Sequence, residues 1–203
     1  MNASGNKKAQ SNLWQRINHR IVLILLILIF AGYAIYIATH LQRDIVPDEP
    51  YHLEISQGFT ETWGIPEEVP LATSAGHVVR RNPYLAYWIH ARALNILNLI
   101  LPNASPWQAL VALRLVNVAF SIGTVIFIYL FSRELIEHKW WSLLPVFTLT
   151  NTLMFVLLSG GVSYDNLANL LSMAGIYYLL KVLKKKDFLL NSLGWLLSIT
   201  LGT

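Results

Sequence analysis

The residues with the clearest chemical potential are Asp48 and Glu49, with His52 three residues further along the chain. They lie in the stretch "DIVPDEPYHLEISQGF" (44–59), which contains four acidic residues and follows shortly after the apolar run 21–38. A carboxylate that is partly shielded from water at a membrane surface can accept a proton from a hydroxyl or bind a divalent cation. Acids are equally typical of a solvated helix start, so both interpretations stand at this point.

A second acid, Asp165, occurs in "SGGVSYDNLANLL", between two apolar segments. No other carboxylate occurs between Glu137 and Asp187. Asp165 or Ser163 could cap the helix that follows. An acid near a membrane boundary is costly to bury without a partner, which favours a functional role that is compatible with capping.

A third candidate is Arg114, six residues into the apolar segment 108–131. At 1.5 Å per residue it would lie roughly 9 Å below the end of that helix. It could extend towards lipid headgroups, or form a two-pronged contact with a phosphate or with one of the acids. Arg80, Arg81 and Arg92 add positive charge that could bind an anionic headgroup.

The composition places these residues in a membrane protein. Of 203 residues, 55% are hydrophobic and 13% charged, with a mean hydropathy of +0.48, whereas about a quarter of a soluble domain is charged. The absence of cysteine excludes disulfides and a cysteine nucleophile. The net charge of +4 does not indicate nucleic-acid binding, because most basic residues flank apolar segments, as in membrane topology.

The hydrophobic runs predict an all-α, multi-pass membrane protein. The segment 21–38 is longer than the core of a cleavable signal peptide, so it is expected to remain as the first span, with a cytoplasmic tail at 1–20. The final run ends without a polar flank, so we expect the chain to be the N-terminal part of something longer. Further spans are predicted at about 108–131, 140–158, 166–183 and 188–203.

The segment 84–101 is long enough to span but contains polar residues. If it spanned, "SRELIEHK" and "KVLKKKD" would fall outside, against the positive-inside tendency. We therefore expect a surface helix there, with an outer loop over 39–107 and another surface helix at about 48–63.

Four motifs in this order resemble GT-C glycosyltransferases that use polyprenyl-phosphate sugars. "PDEPYHLEISQGF" is similar to the Asp-Glu motif of their first outer loop, and "RRNPYLAYWIHARALNIL" to their juxtamembrane helix. "ALRLVNVAFSIGTVIFIYLFSREL" resembles their second span, and "SGGVSYDNLANLL" their second outer loop. The subgroup is that of protein O-mannosyltransferases and aminoarabinose lipid A transferases.

The resemblance implies roles for individual residues. Asp48 matches the catalytic aspartate, Glu49 its neighbour and Asp165 the second-loop acid. The expected substrate contacts are His52, Arg81, Arg114 and Tyr164. The family often has Lys-Pro-Pro where this chain has "RNP" (81–83).

The resemblance implies transfer of a sugar from a polyprenyl-phosphate donor to a lipid, glycan or protein acceptor, on the periplasmic, extracellular or luminal face. A Mg²⁺ or Mn²⁺ ion, held by Asp48 if by any residue, is compatible with this chemistry. Two alternatives remain open. One is a non-catalytic membrane scaffold with a GT-C-like core, and the other, less favoured because Arg114 is the only charge deep in a span, is a lipid flippase or transporter.

Overall fold

The computed structural model describes residues 18–43, 45–66 and 84–202. Within these ranges every regular element is helical, which confirms the all-α prediction for the described part of the chain. Most of the predicted tail at 1–20, together with Asp44, Arg80 and Arg81, lies outside the described residues.

In the described ranges, eight α-helices and one 3-10 turn follow one another. They are α1 (His19–His40), α2 (Glu49–Gly58), α3 (Tyr84–Ile100), α4 (Pro106–Leu135), the 3-10 turn Trp141–Leu143, α5 (Leu144–Thr150), α6 (Leu153–Ser159), α7 (Asp165–Leu183) and α8 (Phe188–Gly202).

Three of these helices, α1, α4 and α7, are long and apolar enough to cross a membrane. Helix α8 is apolar but shorter, with 15 residues. The core between the long helices is built from small, branched and aromatic side chains, including Phe30 and Ala34 of α1 and Val118 and Val125 of α4. These features support a membrane protein with several crossings.

The predicted straight span at 140–158 is instead broken. Helices α5 and α6 meet at an angle of 65°. Two polar side chains at the break bond back to the preceding turn: Asn151 Nδ2 donates to the Phe147 carbonyl (2.8 Å) and Thr152 Oγ1 to the Thr148 carbonyl (2.9 Å). Such local bonds compete with a continuous helical ladder, and here they lie at its interruption.

The broken pair nevertheless follows α1 from one end to the other. Phe147 lies beside Val22 and Leu26 near the start of α1. Phe155 stacks on Phe30 in the middle, with ring centroids 5.4 Å apart. Gly160 then contacts α1 close to its end, beside Ile37. Helices α5 and α6 together therefore extend along most of the length of α1.

The bundle has two ends with different chemistry. The end that holds the C-terminus of α1 and the first turns of α2, α4 and α7 is called the site end. At the opposite end, here the basic end, Glu134 accepts from Lys181 (3.2 Å) and Lys186 (2.8 Å) and also contacts Lys184. Because α4 connects the two ends, Asp48 and Asp165 share an end that is distant from the lysines.

Helices α2 and α3 pack together at the site end. Ile55 and Phe59 of α2 are buried against Tyr87 and Ala91 of α3. Arg92 of α3 clamps the chain after α2, because its Nη2 donates to the carbonyls of Phe59 (2.5 Å) and Thr62 (3.0 Å). Helix α3, with 17 residues, is not among the helices long and apolar enough to cross a membrane, and its position at the membrane surface stays a prediction.

Candidate active site at the site end of the bundle

A buried ion pair organises the site end. Arg114 Nε donates to Glu49 Oε1 (2.9 Å) and Arg114 Nη2 to Glu49 Oε2 (2.6 Å), so the two groups meet in a two-pronged contact. Both side chains are inaccessible to solvent (0–1% exposed). Burying two charges away from water is energetically favourable only if they meet in such a two-pronged contact and their remaining polar atoms form other hydrogen bonds.

The remaining donors of Arg114 are all bonded to protein. Nη1 donates to the carbonyls of Ala38 (3.3 Å) and Leu41 (2.7 Å), and Nη2 also donates to the carbonyl of Gln42 (3.3 Å). A guanidinium has five N–H groups, and here each has an acceptor. Arg114 therefore ties the end of α1 to Glu49, and a phosphate could bind it only by displacing one of these bonds.

Glu49 extends the connection to the loop before α7. Its Oε1 atom accepts a third bond, from the backbone N–H of Val162 (3.0 Å), 113 residues further along the chain. Because both carboxylate oxygens face Arg114 and Val162, the Asp48–Glu49 doublet does not present two acids to one metal ion. The geometry favours a positioning role for Glu49 rather than direct contact with substrate.

Gly160 and Gly161 allow the loop before α7 to pack closely against α1 and Val46. A Cβ at Gly160 would lie 2.6 Å from Ile37 Cγ2, and one at Gly161 would lie 2.6 Å from Val46 Cγ1. Real Cβ atoms do not approach that closely without a shift of their neighbours. The "SGG" sequence therefore lets the chain touch α1 and residue 46, which places Val162 N–H within reach of Glu49.

Asp48 immediately precedes α2 in an unusual backbone conformation. Its φ of 60° and ψ of 4° are left-handed, a region that non-glycine residues adopt rarely and aspartate more readily than most. Its backbone carbonyl accepts from the N–H groups of Tyr51 (3.0 Å) and His52 (3.1 Å), while its side chain makes no capping bond. The Asp48 residue is exposed, in contrast to its buried neighbour Glu49.

Asp165 is the first residue of α7 and is also exposed. Ser163 binds the first backbone N–H of this helix. Its hydroxyl oxygen accepts from the backbone N–H of Asp165 (3.1 Å), and its O–H donates to Asp165 Oδ2 (3.0 Å). Of the two capping candidates, Ser163 thus accepts the backbone bond, and the Asp165 carboxylate is oriented by it.

Between these acids lies an aromatic group formed by His52, Tyr87 and Tyr164. His52 Nδ1 is 2.8 Å from Tyr87 Oη, and both side chains are buried. The Tyr164 ring meets the His52 ring edge-on, with centroids 5.4 Å apart, and lies 6.2 Å from the Tyr87 ring. Tyr164, from the loop before α7, therefore covers a histidine from α2.

The pKa of the Tyr87 hydroxyl responds to the charges of both acids. Burial raises the pKa of the Tyr87 hydroxyl above its usual value, and nearby Tyr164, Asp165 and Asp48 raise it further. The Tyr87 hydroxyl therefore remains protonated, and it is close enough to both carboxylates for their negative charges to raise its pKa. Asp48 and Asp165, 117 residues apart in sequence, therefore lie at the same end of the bundle, within electrostatic range of one buried phenol.

A second buried group continues from His90 into the helices. Ser56 Oγ lies 3.2 Å from His90 Nδ1, and Asn117 Nδ2 lies 3.1 Å from His90 Nε2. Asn166 Nδ2 donates to Asn117 Oδ1 (3.2 Å), and Ser121 Oγ donates to Asn166 Oδ1 (3.1 Å). The chain of bonds connects α2, α3, α4 and α7.

The donors in this chain fix the tautomer of His90. The Ser56 hydroxyl donates to the His52 carbonyl (2.7 Å), so its oxygen accepts from His90 Nδ1–H. His90 Nε2 is then the acceptor for Asn117. Burial lowers the pKa of His90, and His52 lowers it further. His90 is therefore neutral and held in a single orientation.

The structure brings together most of the residues that the sequence singled out. His52 and Tyr164 contact Tyr87, and the charges of Asp48 and Asp165 act on it, whereas Glu49 and Arg114 form a buried pair at the same end of the bundle. Arg81 lies outside the described residues, so its proposed contact with phosphate stays a prediction.

Sequence reasoning missed the roles of Tyr87, Asn117 and Asn166. The sequence predicted a surface helix at 84–101 without singling out Tyr87, because its bond to His52 joins residues 35 positions apart, which no local pattern reveals. Asn117 had a usable signal, because a polar residue inside an apolar span usually faces another helix. Asn166 had the same signal.

In the described ranges, no group of three or more His, Cys, Asp or Glu side chains is arranged to hold a metal ion. A divalent cation at Asp48 stays a prediction. Comparisons with protein-family models, with curated proteins and with solved structures found no match for this chain.

Proposed function

We propose that this protein is a membrane glycosyltransferase of GT-C type that moves a sugar from a polyprenyl-phosphate donor to an acceptor. The site end would face the periplasm, the extracellular space or a lumen, and the N-terminus the cytoplasm. One observation supports this above all: the Glu49 carboxylate binds both Arg114 and Val162 N–H. That contact holds the loop of Asp48 against the loop of Asp165.

The proposed reaction needs one base and one departing phosphate. Asp48 takes the proton from the acceptor hydroxyl or amine as that atom forms a bond to the anomeric carbon of the sugar. The bond from that carbon to the phosphate oxygen breaks, and the polyprenyl phosphate leaves with the electron pair. Positioned proton transfer of this kind contributes about 10²–10⁴-fold to a rate.

The surrounding residues have distinct proposed roles. Asp165 orients the sugar or the acceptor through hydrogen bonds, and the half-buried Tyr164 forms the adjacent wall, supported from behind by the buried His52 and Tyr87. Glu49 and Arg114 position the two loops without contacting substrate. Because the donors of Arg114 are bonded to protein, the phosphate is assigned to another cation, for which Arg81 is the sequence candidate.

Replacement of Asp48 by asparagine tests the base. Asparagine tolerates the same left-handed backbone, so the substitution removes the charge with little strain. We expect transfer by the full-length protein, reconstituted with a panel of polyprenyl-phosphate sugars, to fall by about 10²-fold or more. Mass spectrometry of the glycosylated product provides the measurement.

Glu61→Gln is a matched control, because Glu61 is an exposed acid shortly after α2. It should leave transfer unchanged. Near wild-type transfer by the Asp48→Asn variant would remove Asp48 as the base. Absence of transfer from every donor by the wild-type protein would favour the scaffold instead.

A further inference from the structure

An apolar groove lies at the basic end, between the start of α1 and the turn that leads into α5. Val22 and Leu26 of α1 form one wall, and Trp141, Leu144 and Phe147 are among the residues of the other. Its volume is about 480 Å³, within the range of about 300–1,000 Å³ that ligand sites occupy. Every side chain that lines it is aliphatic or aromatic.

Positive charge gathers beside this groove. Arg20, Arg133 and Lys139 lie close enough to His19 for their charges to act on its imidazole. Arg20 is two residues before Val22, and Lys139 is next to Trp140, which also lines the groove.

The turn that holds Lys139 is well anchored. Arg133 Nη1 donates to the carbonyls of Ile136 (3.1 Å) and Glu137 (3.2 Å), and Ser142 Oγ donates to the carbonyl of Lys139 (2.7 Å). Glu137 is the acid in this turn, and the nearby Glu134 is already paired with Lys181 and Lys186, so among the described residues here the positive charges outnumber the acids left to balance them. The backbone that holds Lys139 is therefore fixed beside the groove, and the rim has a net positive charge.

We propose that the groove binds one anionic phospholipid, with an acyl chain between α1 and α5 and the phosphate between Arg20 and Lys139. Any lipid tail could fill an apolar groove, but a zwitterionic headgroup offers no net charge to the cations. Basic side chains near a membrane surface attract anionic lipids, and tryptophans such as Trp140 and Trp141 favour the headgroup level. This site is independent of the proposed transferase reaction.

Native mass spectrometry of the chain in neutral detergent tests the proposal. Phosphatidylglycerol should bind with one tight site and at least fivefold more strongly than phosphatidylcholine, since each nearby cation contributes about that factor. The Arg20→Gln, Lys139→Gln double variant should lose this preference. Both residues are exposed, so the double variant is expected to fold.

The matched control removes two charges elsewhere at the same end. Lys184→Gln with Lys185→Asn takes away the same number of positive charges, and asparagine suits the positive φ of Lys185 (54°). This control should keep the preference for phosphatidylglycerol. Equal loss in both double variants would indicate a diffuse surface charge and overturn the proposal.

A third measurement tests whether binding requires the acyl chain in addition to the anionic headgroup. Glycerol phosphate, which has the anion but no acyl chain, should neither bind tightly nor raise the unfolding temperature, whereas phosphatidylglycerol should do both. Enlarging the wall with Leu144→Trp should weaken phosphatidylglycerol binding with the cations intact. Equal stabilisation by glycerol phosphate, or unchanged lipid binding in Leu144→Trp, would overturn the assignment to a lipid.

Discussion

Arg114 shows how a charge can be kept inside an apolar bundle. Its guanidinium is covered by the Trp107 ring, 5.6 Å from the ring centroid, in addition to its bonds to Glu49 and to three carbonyls. The sequence left a choice between lipid headgroups, a phosphate and an acid. The contact with Glu49 depends on a residue 65 positions away, which spacing alone does not identify.

Arg114→Met is expected to destabilise the protein strongly, by about 3–5 kcal/mol, because it leaves Glu49 buried without a partner. Unfolding of the detergent-solubilised protein, followed by circular dichroism, measures the change. The double variant Glu49→Gln, Arg114→Met should recover part of the loss, since no charge is then buried and glutamine can still accept from Val162. A single variant as stable as the wild type would contradict this role.

His90 predicts a pH dependence of stability. Its pKa is lowered by burial in the folded protein, whereas the unfolded imidazole protonates near 6.5. Below that pH the unfolded state binds a proton that the folded state does not, so stability falls as the pH decreases. The slope contributed is at most about 1.4 kcal/mol per pH unit.

The measurement compares wild type with His90→Gln between pH 7.5 and 5. The variant is less stable throughout, but its stability should fall less steeply on acidification. Parallel curves for the two proteins would show that His90 is not held neutral.

At the scale of elements, most helices follow from hydrophobic run length. The predicted segments 21–38, 108–131 and 166–183 fall within α1, α4 and α7, because a long apolar run leaves little choice but a helix in lipid. The break between α5 and α6 could not be read this way. Asn151 and Thr152 are only two polar residues in a mainly apolar run, so the composition does not predict a break. Their side chains bond to carbonyls of the preceding turn, and the sequence does not show those bonds.

The loop before α7 is predicted to be sensitive to one methyl group. Gly161→Ala should cost about 1–3 kcal/mol, because its Cβ would overlap the buried Val46 side chain. Thermal unfolding provides the measurement, and the coupling in the Gly161→Ala, Val46→Ala double variant should be favourable. Gly32→Ala is the matched control, since nothing lies within 4 Å of a Cβ there. Equal effects at both glycines would exclude the close approach.

At the scale of the whole molecule, the two ends define an orientation that can be tested directly. The chain has no cysteine, so single cysteines can be introduced without background. Cysteines at Glu61 and Asn103, at the site end, should react with a membrane-impermeant maleimide from one side of sealed vesicles. A cysteine at His138, at the basic end, should react only from the other side.

All three positions are exposed. Labelling of Asn103 and His138 from the same side would mean that α4 does not cross the membrane. The positive-inside tendency predicts that His138 lies on the cytoplasmic side.

The candidate site was predictable in its membership more than in its arrangement. Motif order and charge placed Asp48 and Asp165 on one side, and in the structure the charges of both act on Tyr87. The sequence could not predict that Asp48 is exposed while Glu49 is buried. The two residues are adjacent at a helix start, and their difference in burial arises because α4 and the loop before α7 pack over Glu49.

The buried pair also has a consequence for biogenesis. Arg114 is synthesised 65 residues after Glu49, and Val162 a further 48 residues later, so the contact cannot close until the loop before α7 has left the ribosome. Until then the nascent chain has an incompletely satisfied charge pair at the membrane. Nascent chains arrested before residue 160 should therefore be recognised by membrane quality control, whereas chains that extend past α7 should escape it.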